Sequence, residues 1–337
     1  MKVCIIGAGA IGGLIGTRLA AAGTADVSAI ARGPTLSALR QQGWRMVSDG
    51  ELLQAPAHAH EDAHAPGPKD LVVIAVKGPA LPSVVRGIAP LLGRETVVLP
   101  AMNGVPWWFG QGVDALGPAP LESVDPGGRI SAAVPLARVL GCVVHASASV
   151  AEPGLVTRHM GNGLIVGEPG GGVSARARAV ADLLADAGFD AQASDDIRQD
   201  LWYKLWGNLT INPISAFTGA TTDRVLDDPL VREFCSSAMR EASELGARIG
   251  CAIAQSPEDR HQVTRRLGSF KSSMLQDAEA GRPLELDAIV GAVREMAQRV
   301  GLATPSIDAL LGLARLFGRM RGLYPDAAPE PSASAPR

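Results

Sequence analysis

Over the first half of the chain, short apolar runs rich in Val and Ile alternate with longer stretches whose apolar residues recur every three or four positions. The runs Val3–Ile6, Val27–Ala31, Leu71–Val76 and Thr96–Leu99 have the length and β-branched content of strands. Between them, Leu14–Ala22, Thr35–Gln42 and Pro82–Leu92 carry a helical period. That alternation predicts βαβ units around a parallel sheet. A Pro- and Gly-rich stretch from Trp107 to about Arg129 has no clear period. Val139–His145, Gly154–His159 and Leu164–Val166 then read as strands closing the sheet, followed by a loop over Gly167–Gly172 and a helix over Val173–Ala187. From about Asp195 the texture changes to long amphipathic patterns: Arg198–Ala216, Pro229–Ile249, His261–Ala280, Glu285–Val300 and Ser306–Arg321, separated by Gly219, Gly250, Gly281–Pro283 and Gly301. The predicted class is α/β: a doubly wound, Rossmann-like sheet domain over residues 1–194 and an all-α helical domain over 195–324. Residues 325–337, mostly Pro, Ala and Ser, have little to bury and are expected to be disordered.

The first strand runs directly into Gly7-Ala8-Gly9-Ala10-Ile11-Gly12 and then into a helix. This context makes GxGxxG a dinucleotide signature: Gly7 for the tight turn, Gly9 for close approach of backbone amides to a pyrophosphate, Gly12 for close packing of helix on strand. The end of the second strand selects the cofactor. An acidic residue there would bond the ribose 2′-hydroxyl of NAD, whereas this chain has Ile30-Ala31-Arg32-Gly33, which fits NADP. Arg32 can stack on adenine and meet the 2′-phosphate, and Lys77, at the end of the Leu71–Val76 strand, can supply a second cation.

In the second half, Lys204, Asn208 and Asn212 fall four apart within Leu201–Pro213 and so form one polar line on a helix otherwise rich in Leu, Trp and Ile. A solvent-facing stripe, with Asn212 at a kink before Pro213, is the simpler account; the apolar density on the other faces favours a site. A second cluster spans Ser272–Asp277 and Gly281–Asp287. By itself it reads as ordinary helix punctuation, with Glu285 placed favourably in a first turn.

Composition narrows the classes. Among 337 residues, 47% are hydrophobic and the formal net charge is −3, with signs interspersed, so no basic stripe for nucleic acid exists. No apolar run reaches the ~18 residues of a membrane span, and the N-terminal run is consumed by the glycine turn rather than forming a leader. Cys4, Cys142, Cys235 and Cys251 lack ligand spacing and read as buried thiols of a cytoplasmic protein. His58, His60 and His64 sit in an Ala- and Pro-rich stretch that reads as a solvated loop, and no metal is expected.

These motifs together resemble the ketopantoate reductase (2-dehydropantoate 2-reductase) family from Met1 to about Leu323. The resemblance is carried by the glycine turn, Ala75-Val76-Lys77, Asn103-Gly104, Lys204 with Asn208 and Asn212-Pro213, and Ser273-Met274-Leu275-Gln276-Asp277 followed by Gly281-Arg282-Pro283 and Glu285. It implies a Rossmann domain, a helical domain, and reduction of ketopantoate to pantoate by NADPH in a cleft between them. It also implies that Lys204 is the general acid and that Glu285 orients it or holds its water. Asn208, Asn212 and Ser273 would bind the substrate, Asn103 would sit by the nicotinamide and the reacting carbonyl, and Arg32 and Lys77 would take the 2′-phosphate. Two other readings stay open: a related NADP-dependent 2-oxo or 3-hydroxy acid dehydrogenase, as in the 6-phosphogluconate group, and a non-catalytic NADP-binding sensor. The sequence leaves the oligomeric state open, a homodimer among the states it allows. Val105-Pro106-Trp107-Trp108-Phe109 and the segment to Arg129 are more extended and more aromatic than the family pattern. Two roles fit the tryptophans: a lid or reshaped pocket for a bulkier 2-oxo acid, or the packing of a surface loop.

Overall fold

The β-branched run at the N-terminus becomes the middle of a parallel sheet because every one of its neighbours also reaches it through a helical or looped crossover. The computed structural model describes residues 1–326; of the tail expected to be disordered, residues 327–337 lie outside the described residues. The first part of the chain forms β1 (Lys2–Ile6), α1 (Ala10–Ala22), β2 (Asp26–Ile30), α2 (Gly33–Gln42), β3 (Trp44–Ser48), β4 (Glu51–Ala55), β5 (His58–His60), β6 (Lys69–Ile74), α3 (Leu81–Arg86) and β7 (Leu92–Pro100). Strands β5, β2, β1, β6 and β7 lie side by side in that order and all run parallel. Their inward residues are Val, Ile, Leu and Ala, with Val3, Ile5, Leu71, Val73 and Leu99 fully buried. A sheet covered on both faces reads as continuous apolar runs, which is why β1, β2, β6 and the last residues of β7 were legible and β5 was not.

The chain continues through α4 (Arg129–Ala133), β8 (Gly141–Glu152), β9 (Leu155–Gly167), α5 (Ala175–Asp186) and β10 (Asp190–Ser194). Here the expectation needs correcting. The strands after Val139 do not close the first sheet. They join it at the isolated bridge Val98–Val139 and otherwise build a second sheet of order β10-β9-β3-β4, with β8 antiparallel to β9. The partners that make this possible, β3 and β4, were not anticipated. Gly154–His159 and Leu164–Val166, read as separate strands, are two parts of β9: its start pairs with β3 and its end with β10. The histidine stretch also needs correcting. His58–His60 is β5, hydrogen-bonded parallel to β2, because Ala59 supplies a small buried residue against the sheet while the flanking histidines face outward. The predicted helix Pro82–Leu92 stops at Arg86, where Gly87 intervenes, and resumes only as a short 3-10 turn over Ala89–Leu91.

The remainder is helical: α6 (Ile197–Thr218), α7 (Thr222–Asp227), α8 (Pro229–Arg248), α9 (Pro257–Arg265), α10 (Ser273–Glu279), α11 (Ala292–Arg299) and α12 (Pro305–Met320). The stretch read as one helix over His261–Ala280 is two, α9 and α10, divided around Gly268, whose φ of +62° suits glycine. The pattern over Glu285–Val300 holds a π-helical turn, Asp287–Gly291, that runs into α11. In contact terms the chain forms two compact units: Met1–Leu205 with Leu245–Ile253, and Trp206–Glu244 with Ala254 onward. The division falls inside α6 and α8. Each unit has its own core. The first packs β1, β6 and the second sheet around Leu14, Leu19, Trp44 and Leu184. The second packs Ile211, Ile214, Val225, Leu226, Cys235 and Leu310. In the second unit His261 is buried, with its Nε2 3.0 Å from Ser236 Oγ. Among the described residues no helix is long and apolar enough to cross a membrane.

Candidate active site

A parallel sheet delivers the C-terminal ends of its strands to one edge, and the order of this one places the topological switch point between β1 and β6. The residues singled out in the first unit all lie just past such ends: Gly7–Gly12 after β1, Arg32 after β2, Lys77 after β6 and Asn103 after β7. Backbone hydrogen bonds keep these ends in step, with Gly7 N donating to Ile30 O at 3.1 Å, Ala75 N to Ile6 O at 2.9 Å and Ala101 N to Ile74 O at 2.9 Å.

The glycine turn is shaped by close approach. Gly7 has φ +90°, and a Cβ there would stand 2.6 Å from Val76 Cγ1 and 2.9 Å from Ala75 O. A Cβ on Gly12 would lie 2.0 Å from Gly7 O, so α1 can rest on the turn only with glycine at this position. A Cβ on Gly9, by contrast, would meet nothing within 4 Å. Gly9 is the N-cap of α1, no side chain caps this helix, and its first turn carries no acidic residue. Ala8, Ala10 and Ile11 complete the turn. An uncapped helix N-terminus beside open space suits an anion, and the residues present fit the pyrophosphate of a dinucleotide. At the end of β2, Arg32 is exposed and serves as N-cap of α2 through its backbone, and no carboxylate stands at Ala31, Arg32 or Gly33. Lys77 is half-buried and opens the turn after β6.

Lys204 lies in the second turn of α6. Its Nζ donates to Asn103 Oδ1 at 2.8 Å and to the carbonyl of Val144 in β8 at 2.6 Å. The helix lysine and the loop asparagine beyond β7 are therefore brought into direct contact across a hundred residues of sequence. The Val144 carbonyl was not foreseen, since a backbone acceptor leaves no trace in residue type; only the strand pattern of β8 pointed near it. The Cys142 thiol close by is pushed up to about 12 by burial, a shift the Lys204 charge opposes, so it does not compete as an acid at neutral pH. Trp107, Trp108 and Phe109 are at most 1% exposed. Their side chains pack the interior of the first unit rather than a surface loop.

In the second unit, Asn208 is half-buried and Asn212 buried, one and two turns beyond Lys204 along α6. Pro213 removes one backbone donor there, and Ser215 Oγ donates to the Asn212 carbonyl at 3.0 Å. Ser215 Oγ also hydrogen-bonds Ser272 Oγ, which caps α10 by accepting from Leu275 N at 3.1 Å. Ser273, the next residue, opens α10. A buried serine pair thus ties the backbone of Asn212 to the start of the helix that presents Ser273. Glu285 is buried and lies one residue before Leu286, the N-cap of the π-helical turn, rather than in a regular first turn.

Comparison with known proteins gives the family and the fold. The family model for ketopantoate reductase PanE/ApbA matches residues 3–171, and the model for its C-terminal part matches residues 196–317. A 2-dehydropantoate 2-reductase of Mesorhizobium japonicum is 42% identical over 325 residues, covering 96% of this chain and all of that one. A crystal structure of a candidate ketopantoate reductase from Ralstonia solanacearum MolK2 is 53% identical, covers 96% of this chain and 99% of its own, and superposes with a TM-score of 0.92. D-mandelate dehydrogenase in a ternary structure with NADH and anilino(oxo)acetate shares the fold at 21% identity and a TM-score of 0.82, covering 96% of this chain and 100% of that one. The family matches make the chain a nicotinamide-dependent oxidoreductase, a class that the glycine turn at the switch point of the parallel sheet fits. The chain belongs to the ketopantoate reductase family, PanE/ApbA.

Proposed function

We propose that the protein reduces a 2-oxo acid to the 2-hydroxy acid with NADPH, 2-dehydropantoate being its substrate and pantoate its product. The observation that carries this reading is the contact of Lys204 Nζ with Asn103 Oδ1, which holds a proton donor beside the loop that follows β7. The names of the relatives support the substrate. The lack of an acidic residue after β2, together with Arg32 and Lys77 at neighbouring strand ends, supports NADP over NAD.

The nicotinamide, when bound, supplies the hydride that adds to the carbonyl carbon. As that bond forms, the C=O electron pair moves onto oxygen, and Lys204 gives its ammonium proton to the nascent alkoxide, becoming a neutral amine that solvent reprotonates. Asn103 fixes the lysine's direction by accepting one of its N–H groups. Asn208, Asn212 and Ser273 offer neutral amide and hydroxyl groups for the substrate's carboxylate and hydroxyl, and Glu285 takes the role the family resemblance implies, orienting the lysine or holding its water. Gly7–Gly12 receives the pyrophosphate on the N-terminus of α1.

The test is NADPH oxidation by purified protein with a panel of 2-oxo acids headed by 2-dehydropantoate, repeated with NADH. A kcat/KM of about 10⁴ M⁻¹s⁻¹ or above for 2-dehydropantoate, with NADPH preferred, is expected. Tight NADPH binding with another 2-oxo acid turned over in preference would overturn the substrate assignment.

A further inference from the structure

The aromatic segment after Asn103-Gly104 has no place in the reaction just described, yet α6 holds it by hydrogen bonds and ring contacts. Arg198, in the first turn of α6, donates from Nε to the carbonyl of Phe109 at 3.0 Å and from Nη2 to the carbonyl of Gln111. Its guanidinium lies 6.0 Å from the centre of the Trp108 ring. One turn along the helix, Trp202 stacks on Phe109 with ring centres 5.9 Å apart and planes inclined by 25°. Two residues further on, Lys204 reaches Asn103.

These contacts tie two successive turns of one helix to both ends of one loop, Arg198 and Trp202 from one face and Lys204 from another. The aromatic residues alone would account for volume: Trp108 and Trp202 are fully buried and their indole nitrogens have no hydrogen-bond partner. Buried tryptophans ordinarily satisfy that group, so packing has been favoured here over polar pairing. Volume alone tolerates sliding, however, and Arg198 does not. Two charge-assisted bonds from one rigid guanidinium to carbonyls two residues apart fix the register of the loop against the helix. The same loop carries Asn103, whose amide oxygen accepts from the Lys204 ammonium at 2.8 Å.

We propose that Arg198, acting with the Phe109–Trp202 stack, is a positioning device that holds Asn103 and Lys204 in reactive register. The proposal rests on the role given to Lys204 above. It explains why the loop is so aromatic: a rigid platform is needed because a proton donor displaced by about 1 Å can lose a hundredfold in rate.

The experiment compares wild-type protein with Arg198→Lys, Arg198→Met and Phe109→Leu. Three quantities are read: NADPH affinity by fluorescence titration, kcat and KM across pH, and the rate of Lys204 acylation by acetic anhydride across pH, measured by mass spectrometry against Lys271 as internal reference. The last needs neither cofactor nor substrate. Positioning predicts that NADPH affinity stays within about twofold while kcat falls about ten- to a hundredfold. It also predicts that the pH profiles of kcat and of Lys204 acylation both move. Arg198→Lys, which keeps the charge but not the fork, should fall between wild type and Arg198→Met, and it carries the test if the methionine variant does not fold. Lower melting temperature with unchanged kcat and unchanged Lys204 acylation would reduce the clamp to packing and overturn the proposal. A wild-type protein that turns over no 2-oxo acid would instead defeat the proposed function, and the acylation profile would still decide the clamp.

Discussion

Lys204 is the side chain to which the proposed reaction gives the proton transfer, and its Nζ donates to two neutral oxygen acceptors within 2.8 Å. Removing a general acid typically costs two to four orders of magnitude, so Lys204→Ala should lower kcat by about 10²-fold or more while NADPH affinity is retained; an unchanged kcat would remove the residue from that role. Arg32 is exposed, so its contribution is confined to what it meets on the cofactor. Arg32→Ala should raise KM for NADPH and leave that for NADH nearly unchanged, narrowing the preference between them; a constant ratio would show that the phosphate is read elsewhere. Lys204, Arg32 and Lys77 were legible as residues because charged groups at strand ends, or on an apolar helix, have few structural reasons to be there. Asn103 was visible only through family resemblance, since one polar residue in a loop carries no pattern of its own. Arg198 and the Ser215–Ser272 pair went unseen for a related reason: their partners are backbone carbonyls, or serines far away in the sequence.

At the level of elements, the glycine turn and α1 depend on a contact too close for any side chain. Gly12→Ala would set a methyl 2.0 Å from Gly7 O. The clash is with backbone on both sides, so a cost of about 3 kcal/mol or more is expected, with loss of dinucleotide binding. A variant that melts and binds NADPH like wild type would show that α1 can shift without consequence. The elements read most faithfully are those with buried apolar runs, β1, β2 and β6; of β7 only the buried end, Thr96–Leu99, was read, because its start carries Arg94 and Glu95 and is exposed. Those misread are half-exposed. The residues Glu51–Gln54 of β4 face solvent, and β5 has only three residues, so neither offers a hydrophobic period. The split of His261–Ala280 into α9 and α10 was equally hidden, because the helical period persists through the Gly268 turn.

For the molecule as a whole, a buried histidine couples stability to acid. In the second unit, His261 is buried against α8, and burial pulls its pKa below the usual 6.5, with Arg232 and Arg265 acting in the same direction and Glu258 and Glu233 against it. A depressed histidine means that the unfolded chain binds the proton more tightly. Stability from this group is therefore complete above about pH 6.5 and declines as pH falls below that value toward the folded-state pKa. Melting temperature should drop between about pH 6.5 and 5 in wild type and drop less in His261→Gln; parallel curves would exclude the residue. The change of texture at about Asp195 was plain in the sequence, whereas the exact division of the chain was not, because α6 and α8 each continue through it.

Cys4, Cys142, Cys235 and Cys251 are all buried and unpaired, and burial raises their thiols to about 11, 12, 11 and 12. At neutral pH the native protein thus presents almost no thiolate to an alkylating reagent. A cysteine introduced at an outward position such as Leu230, which is 81% exposed, would react alone. The unaltered sequence is therefore ready for attaching a single fluorophore or spin label, with no need to strip its native cysteines first.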